Sequence, residues 1–296
     1  MPKKILIQLD CDPQPSTFDA VVATDAGVDV LFRHGGVTPG AVEPLVHGAM
    51  FTRGGADLAA TAIFVGGSDV AAAEAVCRRV REVFFGPVRV GVMLDPNGAN
   101  TTASAAVVAA ARHMPLGDAT AASALHAVVL GGTGPVGERV ARLLARQGVA
   151  VGLASRSPER ASATCRRIAA VVEGARVEPL AMADGAHERS AVGAALARAD
   201  LVVAAGAAGV TLLDSAGRGL TRQARVLIDL NAVPPAGIDG IVATDKARRD
   251  GAAMVYGALG VGGLKMKIHK AAIERLFQAH DVVLDAEEML AIGAAL

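Results

Sequence analysis

Apolar runs of strand length alternate with helix-length segments along almost the whole chain. The N-terminal part predicts strands at Lys4–Leu9, Val28–Phe32, Thr61–Val65 and Val88–Leu94. Between them fall helices through Phe18–Ala23, from Thr38-Pro39 onward, and over Asp69–Phe84 with Ser68 as cap. Thr38 is placed to cap, and Pro39 stands at a first helical position, where its missing N–H costs nothing. An Ala-rich helix spans Thr101 to Arg112, and Met114–Ser123 has linker composition. A second series of strands follows at His126–Leu130, Ala150–Ala154, Arg176–Leu180, Leu201–Ala205 and Val226–Leu230. Such alternation produces βα units and a mostly parallel sheet. The expected fold class is α/β. A Rossmann-type nucleotide domain over 124–260 joins a smaller N-terminal α/β domain with a parallel sheet over 1–113, with a cleft between them. Helices in 265–296 return to the N-terminal domain.

Composition narrows the function classes. Hydrophobic residues make up 52% of the 296 and charged ones 20%, enough to bury a full core. Lys+Arg and Asp+Glu both count 29, so no net field draws the chain to nucleic acid or an acidic membrane. One Tyr and no Trp leave little aromatic surface on which bases would stack. Cys11, Cys77 and Cys165 are scattered, which suits a reducing compartment and gives no zinc spacing. The apolar run after Met1 is short for a signal peptide, and no run reaches membrane-spanning length uninterrupted. A cytoplasmic protein without nucleic-acid or membrane partners is expected. An Ala-rich exterior makes a homo-oligomer the expected state.

The clearest chemical motif is Gly132-Thr133-Gly134-Pro135-Val136-Gly137, a G-x-G-x-x-G between an apolar strand and a helix expected over Glu138–Gln147. In that context Gly132 permits the tight turn and Gly134 lets backbone approach a pyrophosphate. Gly137 lets helix and strand pack closely, and the helix N-terminus offers N–H donors. The next strand ends in Ser155-Arg156, without the acid that usually accepts from the ribose 2′-OH of NAD roughly 20 residues past the glycines. Ser155 and Arg156 suit a 2′-phosphate, so NADP is favoured over NAD, which nothing excludes. Ala205-Gly206 and Asn231, at later strand ends, complete the expected nucleotide site; Asp229 either lines it or caps a loop.

On the other side, polar clusters fall at strand ends, where open α/β sheets collect ligands: Asp10–Ser16, Gly66–Asp69 and Asp95–Thr102. In the last, Asn97, Asn100, Thr101 and Thr102 either contact substrate or, through Asn100 or Thr101, cap the following helix. Gly257–Leu264 reads as a second glycine-dense loop before a helix starting near Met266. Lys265 then stands at the disfavoured end of a helix for a cation, which points to a ligand role. The histidines show no metal spacing, and no metal is expected. Nothing close in sequence lowers the pKa of Cys11.

Gln8-Leu9-Asp10 with Pro15–Asp19, Phe51–Gly55, Ala62–Gly67, Met93–Thr102, the nucleotide turn and Gly257–His269 together resemble methylene-tetrahydromethanopterin dehydrogenase of methylotrophic bacteria. The resemblance covers essentially the whole chain. It implies hydride transfer from the methylene group of a tetrahydromethanopterin-type carrier to NADP or NAD, in one-carbon (formaldehyde) oxidation. Lys265 matches a family lysine at the active site, and is the catalytic candidate, as a carrier-orienting or hydrogen-bonding group rather than a base. Asp19, Asn97, Asn100 and Thr102 are the candidates for carrier contact. Ala154-Ser155-Arg156 departs from the Gly-Arg of the NADP-strict branch and points to the branch that accepts both nucleotides. The rival readings are a methylene-tetrahydrofolate or shikimate-type NADP dehydrogenase and, outside enzymes, an NADP-sensing regulator.

Overall fold

The computed structural model describes residues 2–182 and 190–296. In chain order the elements are β1 (Ile5–Asp10), α1 (Thr17–Asp25), β2 (Val30–His34), α2 (Val42–Met50), β3 (Thr61–Gly66), α3 (Val70–Glu82), β4 (Gly91–Leu94) and α4 (Ala99–Ala111). Then come α5 (Ala119–Ala122), β5 (His126–Leu130), α6 (Pro135–Arg146), β6 (Ala150–Ser155), α7 (Pro158–Val171), β7 (Val177–Ala181), α8 (Ala191–Arg198) and β8 (Leu201–Ala204). The chain closes with α9 (Ser215–Arg218), β9 (Val226–Asp229), β10 (Arg248–Asp250), β11 (Ala253–Tyr256), α10 (Ala258–Leu276), β12 (Val283–Leu284) and α11 (Ala286–Ala294). They form two compact units, Met1–Thr101 with Met266–Leu296, and Thr102–Lys265.

The first unit is built on a parallel sheet of order β12-β4-β3-β1-β2. β3 and β4 are buried along their whole length, as expected for parallel strands covered on both faces. Leu9, Ile63, Val65 and Val92 from the sheet pack with Val42, Val46, Met50, Val76 and Val80 from α2 and α3 in one apolar cluster. The second unit carries a sheet of order β10-β11-β9-β8-β5-β6-β7, parallel except for β10. Its strands run outward in both directions from the β5/β8 pair, which makes that pair the switch point where such sheets hold ligands.

Several element boundaries differ from the sequence expectation, each for a local hydrogen-bonding reason. α3 is capped by Asp69, whose carboxylate accepts from Ala72 N at 3.0 Å, whereas the Ser68 hydroxyl donates to Asp12 at 2.7 Å. Thr38 makes no side-chain cap, and Pro39–Ala41 is a single 3₁₀ turn leading into α2. The strand expected from Val88 begins at Gly91, because Phe85 and Val88 pair across a tight turn first. Met114–Ser123 contains the one-turn helix α5, capped by Asp118. The expected loop Gly257–Leu264 is helical from Ala258, with Leu259 N and Gly260 N donating to Ala243 O.

Asp95 settles the ambiguity at the start of α4. Its carboxylate, 1% exposed, accepts from Asn100 N at 2.9 Å, Thr101 N at 3.1 Å and the Thr101 hydroxyl at 2.6 Å. It thus satisfies two first-turn N–H groups, the office the sequence assigned to Asn100 or Thr101. Asp95→Ala strands these donors in a buried site and is expected to cost about 2–4 kcal/mol in urea denaturation. A loss below about 0.5 kcal/mol would mean that the carboxylate contributes little to holding the turn.

Candidate functional site

A cavity of about 660 Å³ opens at the switch point of the second unit. Its wall includes Gly131, Thr133, Gly134, Pro135, Ser155, Arg156, Ser157, Arg160, Ala205 and Gly206. The turn after β5 and the turn after β6 therefore share one cavity with the end of β8. Of the expected nucleotide residues, Thr133, Gly134, Pro135, Ser155, Arg156, Ala205 and Gly206 meet there, while Gly132, Val136, Gly137 and Asn231 lie outside that lining.

The glycines act in different places from those the motif alone suggests. The left-handed residue is Gly131, with φ +70°, not Gly132. A Cβ on Gly131 would stand 2.6 Å from Gly206 Cα, so the turn after β5 lies against the backbone that follows β8 only because residue 131 is glycine. A Cβ on Gly132 would meet the Leu153 side chain at 2.5 Å. On Gly137 it would stand 2.6 Å from Gly131 O, which is the close helix–strand packing the motif predicts.

Gly134 is the N-cap of α6 and has no side chain to accept from the first turn. By contrast Ser16, Asp69, Ser157 and Ser190 cap α1, α3, α7 and α8 with side-chain oxygens. An uncapped helix start, with its N–H groups beside a cavity, is suited to a phosphate oxygen. A Cβ on Gly134 would make ordinary contact with Gly131 O and Ala205 O at 3.4 and 3.6 Å, so crowding alone does not require glycine there. The site fits a dinucleotide pyrophosphate.

At the end of β6, Ser155 is 8% exposed, 3.3 Å from the Thr133 hydroxyl, and accepts from Ser157 N at 3.2 Å. Ser155 thus joins the two turns of the cavity, and Arg156 beside it is exposed. Arg160, in the first turn of α7, also lines the cavity. It was missed because its four-residue distance from Arg156 has meaning only once the loop and helix start are folded together.

Two later strand-end residues prove to be struts. Asp229, 2% exposed, accepts from Asn231 N, Gly237 N and Ile238 N at 3.0, 2.7 and 3.1 Å. Burial raises its carboxyl above the ordinary range, against the pull of those three donors. The Asn231 amide oxygen accepts from Gly209 N and Val233 N, and its nitrogen donates to Pro235 O.

In the first unit the clusters Asp10–Ser16 and Gly66–Asp69 come together at the ends of β1 and β3. Asp12 accepts from Ser68 N and its hydroxyl, while buried Asp10 accepts from Asp12 N, Ser16 N and Gln8 Nε2. Asp19 lies in the first turn of α1, with its carboxylate 4.0 Å from His269 Nε2. His269 is fully buried and stacks on Phe64, at 5.9 Å between centroids. Asn97 is exposed in a left-handed conformation, with φ 53°. Asn100 is fully buried, its nitrogen donating to Leu94 O and Asp285 Oδ1, which makes it a packing residue rather than an open contact. Thr102 is half-buried in α4.

Lys265 is half-buried two turns inside α10, not at a helix start. The unfavourable dipole placement that singled it out in the sequence therefore does not exist. Burial, with Asp10, Asp12 and Asp69 nearby, pushes the Cys11 thiol up to about 11, so it is not a nucleophile near neutrality. Among the described residues no group of three or more His, Cys, Asp or Glu could hold a metal ion. His187 lies outside the described residues. No described helix is long and apolar enough to cross a membrane.

Fold and cavity together define a Rossmann-type unit with a site suited to a dinucleotide. The N-terminal family model of methylene-tetrahydromethanopterin dehydrogenase matches residues 17–97. The chain belongs to the methylene-tetrahydromethanopterin dehydrogenase family. It is 44% identical over 289 residues to the "bifunctional protein MdtA" of Methylorubrum extorquens, covering 98% of this chain and 97% of the relative. It is 30% identical over 283 residues to the NAD(P)-dependent methylenetetrahydromethanopterin dehydrogenase of the same organism, covering 95% and 94%. Quinate dehydrogenase from Corynebacterium glutamicum, solved with NAD, is similar in fold, with a TM-score of 0.53 at 16% identity and 99% coverage of both chains.

The two halves of the nucleotide site are separable by mutation. Gly137→Ala, which drives a methyl group into Gly131 O, is expected to weaken NADP and NAD alike by tenfold or more on the order-of-magnitude scale of a lost phosphate cradle. Arg156→Ala is expected to weaken NADP by about tenfold and leave NAD nearly unchanged. Fluorescence titration with each reduced nucleotide reads both. Equal losses for the two nucleotides in Arg156→Ala would remove Arg156 from the 2′-phosphate.

Proposed function

We propose that this chain oxidises methylene-tetrahydromethanopterin to methenyl-tetrahydromethanopterin, with NADP or NAD as acceptor and NADP bound more tightly. The observation that carries the reading is the presence in one chain of a dinucleotide cavity and near-full-length likeness to a relative named for this reaction. Quinate dehydrogenase supports the fold alone, so a shikimate-type substrate gains nothing from that likeness. A sensor that binds nucleotide without turnover gains no support from relatives named as dehydrogenases.

Bound nicotinamide supplies an acceptor carbon for the hydride leaving the methylene bridge. The C–H electron pair departs with the hydrogen, and the product is a methenyl cation shared between two carrier nitrogens. No proton leaves in that step, so the chain needs no general base at the reacting carbon. Its residues have instead to hold donor and acceptor carbons close, oriented and largely dry. Gly134 and the start of α6 anchor the pyrophosphate, and Thr133 with Ser155 fixes the turn that carries Arg156.

A fixed cation directly beside the reacting carbon would oppose the growing positive charge. Lys265 is therefore assigned to orienting the carrier away from that carbon. Asp19, carrying His269 at its back, and exposed Asn97 and half-buried Thr102 are the remaining carrier contacts in this reading. The enzyme is read as cytoplasmic, which its free cysteines support, and as a homo-oligomer, which exposed Phe51 and Phe85 support.

A spectrophotometric assay of nucleotide reduction with the methanopterin and folate methylene carriers, each with NAD and NADP, tests the assignment. Reduction with the methanopterin carrier is expected. No reduction with either carrier would overturn the assignment, and a preference for folate would transfer it to the rival carrier. Lys265→Ala is expected to lower kcat/KM for the carrier by about tenfold or more, with the nucleotide KM unchanged. Unchanged turnover would remove Lys265 from the site.

A further inference from the structure

A second cavity lies at the opposite end of the strands from the nucleotide cavity. It measures about 320 Å³, against about 660 Å³ at the glycine turn, and shares no lining residue with it. Its lining comes from the starts of β5 and β6, from β7 with the two residues before it, and from α8. The proposed reaction uses none of these residues.

The hollow follows from side-chain size along one face of the sheet. His126 is paired with Ala150 and Val128 with Gly152, and Gly152 in turn with Glu178. Side chains alternate between faces along a strand, so partners in a parallel pair share a face. Here β6 contributes only a methyl group and a hydrogen atom between larger neighbours. α8 covers this face, with Ala195 packed in the same apolar cluster as Val128, and Ala195 is also too small to fill the gap.

The rim is charged. Arg176 Nη2 donates to Ser123 O at 2.6 Å and also to Gly148 O. These two carbonyls fix the guanidinium without neutralising it, and its Nε and Nη1 donors lie outside both bonds. Arg198 is instead paired with Glu178, at 2.6 Å. Two guanidinium groups less one carboxylate leave the lining with a single positive charge, carried by the anchored Arg176.

We propose that this cavity is a second binding site, for a small organic monoanion: a carboxylate on an apolar body. The carboxylate meets Arg176, and the body lies over Ala150 and Gly152 beneath Ala195. A neutral ligand leaves the guanidinium unmatched, and a dianion brings its second charge against Glu178. The volume stands near the lower end of small-molecule pockets, roughly 300–1,000 Å³, which excludes a second dinucleotide.

Titration calorimetry of the full chain with benzoate and its neutral analogue benzamide tests the site. Benzoate is expected to bind with a Kd of about 1 mM or tighter, and benzamide about tenfold more weakly or worse. Saturating NADP is expected to leave the benzoate Kd within about twofold, because the two cavities are separate. Ala150→Leu fills the hollow and leaves every rim group in place. It is expected to abolish benzoate binding and to keep the NADP Kd within about twofold. Arg176→Gln is expected to weaken benzoate by about tenfold, with Arg176→Lys intermediate. No benzoate binding up to about 10 mM, or equal binding of benzamide, would overturn the proposal. Loss of benzoate on adding NADP would place it in the nucleotide cavity and overturn the second site. Unchanged benzoate binding in Ala150→Leu would do the same, and that variant decides the matter even if Arg176→Gln does not fold.

Discussion

The nucleotide unit depends on one close approach of backbone to backbone. Where β5 ends, α6 begins and β8 ends, Gly131 lies against the backbone of Gly206 and Gly137 against Gly131 O, at separations that leave no room for a Cβ on either 131 or 137. Bringing these three segments together places the start of α6 beside the cavity and sets its first N–H groups toward the space where phosphate charge would lie. The end of β6, and with it Arg156, lines the same cavity. Larger residues would separate the segments and dissolve the site, even if every strand of the sheet survived.

Elsewhere, carboxylates at strand ends serve as fasteners. Asp10, Asp95 and Asp229 follow the same plan, each buried at the end of a parallel strand and accepting two or more donors from the loop beyond. A parallel sheet needs this because each strand is followed by a turn whose N–H groups point back toward the core and require acceptors. The consequence for function is a division of labour. Buried acids hold loop shape, while the groups left at the rim, such as Asn97 and Arg156, are available to ligands.

The chemistry is compatible with such a quiet site. Hydride transfer from a methylene bridge generates a stabilised cation and releases no proton at that step, so a strongly perturbed acid or base is not required. What the protein has to supply is position, exclusion of water and the absence of a misplaced charge. This accords with a nucleotide cavity whose lining includes glycines, hydroxyls and two guanidinium groups.

The alternation of apolar runs by itself determined the βα order, the strand at His126–Leu130 and the glycine turn after it, because periodicity and glycine's conformational freedom are local properties. The resemblance of the N-terminal motifs and Gly257–His269 led to the family for a similar reason, since it depends on residue types at fixed spacing. Which glycine takes the left-handed turn, and that Arg160 joins Arg156, were decided by tertiary structure. Both depend on contacts between segments that the sequence separates. The same holds for Asp95, which outcompetes Asn100 and Thr101 as cap because the 3₁₀ turn Pro96–Gly98 folds its carboxylate back over the helix start. Lys265 marks the limit most plainly. Its glycine-rich neighbourhood reads as a loop by propensity, yet Gly257 and Gly260 let the start of α10 pack directly against the backbone of 242–246, and that packing makes the segment helical.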